Sequence, residues 1–394
     1  MSLFGTSRSS PLAPRRSPLV LALALVLAMV VQLAGSQPTA AQGTTTVTDI
    51  VGRTVTVKTP VERAILAEGR QTYIVASLDS DNPFKRVVGW GDDLRTADYD
   101  SYLKYQEQFP SLTEIPVFGS PQSGTFSVEK AVDLQPDVVI FSLDSYAPAR
   151  DSGLIDTLAK VNIPSVIIDF RQQPLETTVP SILLIGRLFG REAAAQAVAD
   201  YYTQQVNIVF ARVEKIKAPQ PTVFILRAAG LLECCGTFGR ANLGILEERA
   251  GATNIAAGLF PGWSGTLNPE KVLTSDPDII VATGSNWTYS PGSVPGKYVP
   301  FGYSTTPEVA RAALRGLTDQ PGWSGLKAVQ SGKFYGVWHQ FYNAQMHFAV
   351  LQQFAKWNYP EEFADIDPEA TLRTYHEKFL PIPYSGTFWV TLND

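Results

Sequence analysis

Arginines and aromatic residues recur at one kind of position in this chain, the turn that follows a run of β-forming residues. Arg70 follows RAILAEG, Trp90 and Asp92 lie in RVVGWGDD, Gln122 in IPVFGSPQSG, Tyr146 follows VVIFSLDS and Arg171 follows IPSVIIDF. In the second half, Arg227, Arg240, Trp263, Trp287, His339 and Tyr342 occupy comparable turns. Guanidinium groups make charge-assisted bonds to anions, and aromatic faces stack on rings and cations. The set therefore suits an anionic, ring-bearing ligand. Any one of these residues could be packing alone; their number carries the reading.

Enzymatic constellations do not emerge. The chain has no G-x-S-x-G, no H-E-x-x-H, no P-loop and no phosphate-type glycine fingerprint. Of the three histidines, His347 opens an apolar helix and is read as packed, and His376 lies in the last helix. His339, in WHQFYN after a strand, is the one placed to line a cleft and the one that could touch a metal. A bare-metal site needs three or four convergent ligands, which this set does not offer. Cys234 and Cys235 are adjacent, without the gap of a metal-binding C-x-x-C. A bond between the two, or two thiols in a turn, are the open readings.

The elements that must position these residues are legible from a repeat. Residues 123–140 read SGTFSVEKAVDLQPDVVI and residues 264–281 read SGTLNPEKVLTSDPDIIV, and the register continues to Tyr146 and Trp287. Ser127 and Asn268 are good N-caps, Glu129 and Glu270 sit in the first turn, and Pro136-Asp137 and Pro277-Asp278 stop each helix before an apolar strand. Two such copies predict two α/β lobes of one ancestry. Strands alternating with helices predict doubly wound parallel sheets, whose carboxyl edges carry the turns named above. TTTVTDIVGRTVTVKTP predicts a hairpin ahead of the first sheet. From 176 to 218 the period becomes helical, with a break at Gly190, and a second helix of some 25 residues, roughly 38 Å, is long enough to bridge the lobes. The predicted organisation is a signal peptide (1–41), an N-terminal lobe (42–175), a helical connector (176–218) and a C-terminal lobe (219–394). The segment 284–307, rich in Gly, Pro, Ser and aromatics, is read as a long surface loop.

The first 41 residues hold Arg8, Arg15 and Arg16, no acidic residue, an apolar run from Leu19 to Leu33 and a small-residue exit, SQPTAAQ. This is the pattern of a secretory signal, with a core too short for a good membrane span. Arg15-Arg16 raises twin-arginine export, but Ser17-Pro18 follow the pair. Ser36 stands where a lipoprotein signal would have Cys, so a soluble exported protein is expected. The formal net charge is −5, and cleavage removes three positive charges. An acidic chain without a basic run excludes nucleic acid and anionic membrane as partners.

TVTDIVGRTVTVKTPVERAIL, FSVEKAVDLQPDVVI, LAKVNIPSVIID, LIGRLFGREAAAQAVA, NPEKVLTSDPDIIV and GWSGLKAVQSGKFYGV together resemble the periplasmic substrate-binding proteins of ABC importers for iron–siderophore, haem and cobalamin. The resemblance runs from about residue 47 to 380. It implies an α/β fold of two Rossmann-like lobes joined by a long rigid backbone helix, a shallow cleft between them, little hinge closure and no covalent cofactor. It further implies an acidic residue on each lobe that docks onto permease arginines, which by motif are Glu129 and Glu270. The CC pair, the Trp-bearing loop and the tail PEATLRTYHEKFLPIPYSGTFWV depart from the family. A haem receptor would offer a Tyr or His ligand, for which Tyr73, Tyr146, His339 and Tyr342 are candidates.

The expected function is thus a monomeric, non-enzymatic receptor that captures a ferric chelate, first of all an iron–siderophore, and delivers it to an ABC permease. Arg70, Trp90, Tyr146, Arg227, Arg240, Trp263, Trp287, His339 and Tyr342 form the expected ligand-binding set. A haem or cobalamin receptor of the same family, a secreted α/β enzyme acting on an anionic substrate, and a ligand-sensing partner of a signalling receptor are the alternatives.

Overall fold

A computed structural model of the chain describes residues 1–5, 43–288, 294 and 296–393. The segment read as a signal peptide falls, beyond its first five residues, outside the described residues. β1 (Gly43–Thr48) and β2 (Thr54–Thr59) form the antiparallel hairpin expected from their alternation. Its turn is anchored by Asp49, which accepts the Arg53 N–H at 2.9 Å and the Ile167 N–H at 3.2 Å. The first sheet follows, from β3 (Ala64–Leu66), β4 (Val87–Gly91), β5 (Val117–Phe118), β6 (Val138–Ser142) and β7 (Ser165–Ile168). Its order is β5-β4-β3-β6-β7 with every pair parallel. The second half contributes β8 (Thr222–Leu226), β9 (Gly236–Phe238), β10 (Thr253–Asn254), β11 (Ser264–Thr266), β12 (Ile279–Gly284), β13 (Phe334–Trp338) and β14 (Trp389–Thr391). The second sheet runs β10-β8-β12-β13-β14, parallel except at β14, and β9 and β11 make a separate ribbon. The α/β class with parallel sheets is borne out.

The repeat does the same physical work twice. Helices Val128–Leu134 and Pro269–Ser275 are capped by Ser127, which accepts the Lys130 N–H, and by Asn268, which accepts the Glu270 N–H. Each ends on a left-handed residue, Gln135 at φ +45° and Asp276 at φ +42°. The aspartates after them clamp the neighbouring strand: Asp137 accepts the N–H groups of Glu62 and Arg63, and Asp278 accepts the N–H and hydroxyl of Thr222. β6 and β12 are buried throughout, as continuous apolar runs covered on both faces must be.

Helix Pro174–Phe189 stops at Gly190, whose φ of +62° suits a residue without Cβ. The next helix, Glu192–Val213, spans 22 residues, about 33 Å. It packs on helix Thr72–Leu78 of the first lobe and on helix His347–Asn358 of the second. Asp79 fixes its start, its buried carboxylate held by Arg86, Arg191 and Lys85. The lobes also bond directly. Gln345 donates to the Tyr73 carbonyl at 2.8 Å, Gln340 to the Ala97 carbonyl at 2.6 Å and Asn242 to the Arg171 carbonyl at 2.9 Å, while Asp100 accepts from Ser304 and Asn286.

The segment 284–307 corrects the surface-loop expectation. Of its described residues, Trp287, Tyr298, Phe301 and Tyr303 are all buried. Spaced aromatics in a Gly/Pro-rich stretch here signal packing into the second lobe, with Trp287 on Tyr298, Phe301 against Gly336 and the Tyr303 hydroxyl on His376 Nε2 at 2.9 Å.

His347 and His376 are packed residues. Burial pushes each imidazole down to about 4, against a partly offsetting carbonyl contact from Ala344 or Leu372. Both are therefore neutral in the fold. Their stabilising contribution is complete above the ordinary histidine value and is lost as the pH falls from there towards 4, at roughly 3 kcal/mol each. Asp98 and Glu247, whose carboxyls burial pushes up to about 7 and about 8, gain stability over the same fall in pH, so the histidine effect is read as a difference. Calorimetric melting between pH 7 and pH 4 should show His347→Gln losing less stability, or gaining more, than the parent. An unchanged slope in that variant would contradict the assignment.

Candidate ligand-binding site

At the carboxyl edge of the first sheet, four turns supply a charged constellation. Glu68 and Arg70 follow β3, Asp93 follows β4, Asp144 follows β6 and Arg171 follows β7. Gly69 makes the first turn possible, because a Cβ there would sit 2.2 Å from the Gly91 carbonyl oxygen. Arg171 donates to Glu68 at 2.9 Å and to Asp144 at 2.6 Å, and Arg70 donates through Nε to Asp93 at 2.6 Å. Burial pushes the Glu68 carboxyl up, but Arg171 and Arg70, aided by bonds from Ser142 and Asn343, outweigh it and hold it below the usual carboxylate range. A recess of about 490 Å³ opens along these turns, lined also by Gln122.

The second lobe answers with aromatics. Phe238 and Ser264 come from the β9–β11 ribbon, Trp263 immediately precedes β11, and His339 and Tyr342 lie in the turn after β13. Trp263 stacks on Phe238 and on Tyr342 with centroids 6.0 and 6.5 Å apart, and His339 lies 4.5 Å from Tyr342. Tyr342 joins the lobes: its hydroxyl accepts from Arg70 at 2.5 Å, and the guanidinium carbons of Arg171 and Arg70 stand 5.0 and 5.3 Å from its ring.

Arg227, at the end of β8, completes the set from the other side. It donates to Ser264 at 3.1 Å and stands 5.2 Å from the Trp263 ring. Among the described residues its Nε has no hydrogen-bond partner and no carboxylate pairs with it. Burial pushes its guanidinium down, yet arginine stays charged in proteins. His339 is driven well below its ordinary value, by burial first and then by Arg227, Arg70 and Arg171, and shares a 2.7 Å bond with Thr283. The site thus presents three cations around a neutral imidazole, with the first lobe's carboxylates already engaged by Arg70 and Arg171. Such an arrangement can take up negative charge from a ligand at Arg227 while stacking its rings on the aromatic wall.

The structure brings together Arg70, Arg227, Trp263, His339 and Tyr342, with Arg171. Four expected residues lie elsewhere. Trp90 is inside β4 and packs into the core against Phe84 and Tyr102. Tyr146 sits one turn into helix Leu143–Asp151, between Arg53 and Arg150. Arg240 is 69% exposed and faces Glu248 at 3.5 Å. Trp287 is buried, packs on Tyr298 and meets His339 edge-on at 5.4 Å, so it backs the site without lining it. Glu68, Asp93, Asp144 and Phe238 escaped the sequence reading, although the first three stand within three residues of a strand end. Tyr73 is buried and donates to Asp98 at 2.6 Å. Cys234 and Cys235 form a disulfide. Among the described residues no group of three His, Cys, Asp or Glu is placed to hold a metal ion.

Residues 89–339 match the sequence model of a family described as periplasmic binding protein. The chain is 24% identical over 362 residues to the molybdate-binding protein MolA of Haemophilus influenzae, across 86% of this chain and 91% of MolA. It superposes on the TroA-like periplasmic binding protein FepB from Veillonella parvula with a TM-score of 0.80 at 33% identity, covering 88% of this chain and 99% of that one. On MolA bound to molybdate the TM-score is 0.65 at 20% identity, over 87% and 99% of the two chains.

Proposed function

We propose, because this chain belongs to the periplasmic binding protein family of ABC importers, that it is a receptor for a ferric chelate held at the junction of its lobes. Its homologues are extracytoplasmic solute-binding proteins, not enzymes, and among the described residues no helix is long and apolar enough to cross a membrane. One observation carries the choice of ligand. Arg70 and Arg171 of the first lobe stand over the Tyr342 ring, Arg227 of the second stands over Trp263 stacked on it, and among the described residues Arg227 pairs with no carboxylate. A chelate with ionised oxygens and aromatic rings answers both the charge and the stacked wall. The recess of about 490 Å³, lined by first-lobe residues including Glu68, Arg70, Asp144 and Arg171, lies within the range of small-molecule sites and supplies the first-lobe side of such a site. The iron is cargo, carried inside the chelate.

On this reading residues 1–41 are the export signal, residues 42–175 and 219–394 are the lobes, and the receptor acts as a monomer. Glu129 and Glu270 dock onto the permease. Both are exposed in the first turn of the repeated helices. A helix feeding the next parallel strand runs against it, which puts both N-termini at the carboxyl edges flanking the cleft.

A second reading, an oxyanion such as molybdate, is favoured by the likeness to MolA and by the unpartnered Nε of Arg227. Tryptophan-fluorescence titration separates the two, since Trp263 belongs to the aromatic wall. Ferric catecholate, hydroxamate and citrate complexes, their iron-free forms, haem, cobalamin and molybdate form the panel. Saturable quenching by one ferric chelate and not by its iron-free form is the expected result. Quenching by molybdate alone selects the second reading, and silence across the panel sinks both.

A further inference from the structure

The second sheet ends in an edge strand remote from the cleft. β14 is the last strand, antiparallel to β13. The Trp338 N–H donates to the Phe388 carbonyl and the Leu392 N–H to the Phe334 carbonyl. Antiparallel pairing alternates, so the main-chain groups of residues 388, 390 and 392 face β13 while those of 387, 389 and 391 face outward. Thr387 shows this phase directly, because it exchanges both backbone bonds with Gly302 on the outer side. From Trp389 onward that edge is open among the described residues.

A groove of about 570 Å³ runs there, lined by Arg311, Lys333, Tyr335, Trp357, Trp389 and Thr391 among others. Tyr335 stacks on Trp357 of helix His347–Asn358 with centroids 4.1 Å apart. The next residue, Gly336, faces Leu314 of helix Pro307–Gly316 on the opposite side of the sheet. Helices from both faces line the groove, so it follows the sheet's edge. The departing tail PEATLRTYHEKFLPIPYSGTFWV builds much of it, through Pro368, Glu369 and β14.

The charge left over in the groove is positive. Asp367 caps its own helix, Glu369 pairs with Arg373, and Lys356 donates to the Ile366 carbonyl. Lys333 is exposed, and among the described residues Arg311 Nε and Thr391 Oγ1 have no hydrogen-bond partner.

We propose that this groove receives an extended acidic segment of a partner polypeptide, which adds to β14 as a further strand. Outward amides at Trp389 and Thr391 supply the main-chain bonds, and Arg311 and Lys333 select carboxylates on the incoming strand. A second copy of this chain fits poorly, because edge-to-edge pairing would set the same cations against each other.

The test uses the mature protein and a labelled peptide of alternating valine and glutamate, about eight residues long, followed by fluorescence anisotropy. A valine–lysine peptide is the control. Saturable binding of the acidic peptide alone is expected. Thr391→Pro removes an outward N–H and leaves the β13 pairing, as edge strands allow, and should weaken binding about tenfold or more. Arg311→Glu with Lys333→Glu should transfer the preference to the lysine peptide, while Arg227→Glu, which acts on the cleft ligand, should leave the affinity for the acidic peptide where it was. Melting curves establish that each variant folds. Absence of saturable binding, equal affinity for both peptides, or full affinity in a folded Thr391→Pro variant overturns the proposal.

Discussion

Arg227→Glu is expected to weaken binding of the proposed ferric chelate by about a hundredfold or more, at nearly unchanged thermal stability. A hydrogen bond to an ionised partner contributes roughly 1.5–3 kcal/mol, and reversal adds repulsion to the loss. Stability is spared because Arg227 is only half-buried and its one side-chain bond goes to a neutral hydroxyl, that of Ser264. Arg171→Ala is the instructive contrast. It strips the cation from Glu68, which is buried, and from Asp144. An unpaired buried charge costs about 3–5 kcal/mol, so weakened binding there would be mixed with unfolding. Titration calorimetry with melting curves on both variants separates recognition from integrity. An unchanged dissociation constant in Arg227→Glu would remove that residue from the site.

Reversing Glu129 and Glu270 together to arginine should abolish import while the dissociation constant for the ligand stays where it was. Neither glutamate belongs to the ligand constellation, and both are exposed. Each loses only its favourable position at a helix N-terminus, about 0.3–1 kcal/mol. Ser127 and Asn268 still cap the helices. The measurement is uptake of radiolabelled ferric chelate into vesicles containing the cognate permease, with single reversals expected to fall in between. Transport at the unmodified rate by the double variant would show that docking uses another surface.

Much of this architecture was legible because its signals are local. A cap, a first-turn glutamate and a stopping Pro-Asp lie within a dozen residues, and the repeat states them twice. The carboxyl-edge rule then located Arg70, Arg171 and Arg227 from strand ends alone. It failed where a strand end was misjudged by two or three residues. Trp90 is still inside β4, where a large aromatic turns to the core, and at β6 the helix starts at once, so Asp144 takes the cleft position and Tyr146 points to Arg53. Glu68 and Asp93 were silent for another reason. Carboxylates are commonplace in turns, and only the meeting of turns from different strands shows which arginine each one engages. The aromatics of 284–307 misled by composition, since glycine and proline suggested exposure while the rings pack into the second lobe.

The bonds that lock one lobe to the other, Gln345 to Tyr73, Gln340 to Ala97 and Asp100 to Ser304, carry a consequence for supply. A body so fastened has little freedom to advertise occupancy by changing shape, so the two glutamates proposed to dock on the permease would keep one spacing with or without cargo. On that proposal, empty and loaded receptors would compete for one doorway. Import would rise with receptor abundance only until unladen copies crowd the permease, which favours a cell that keeps this protein scarce relative to its ligand.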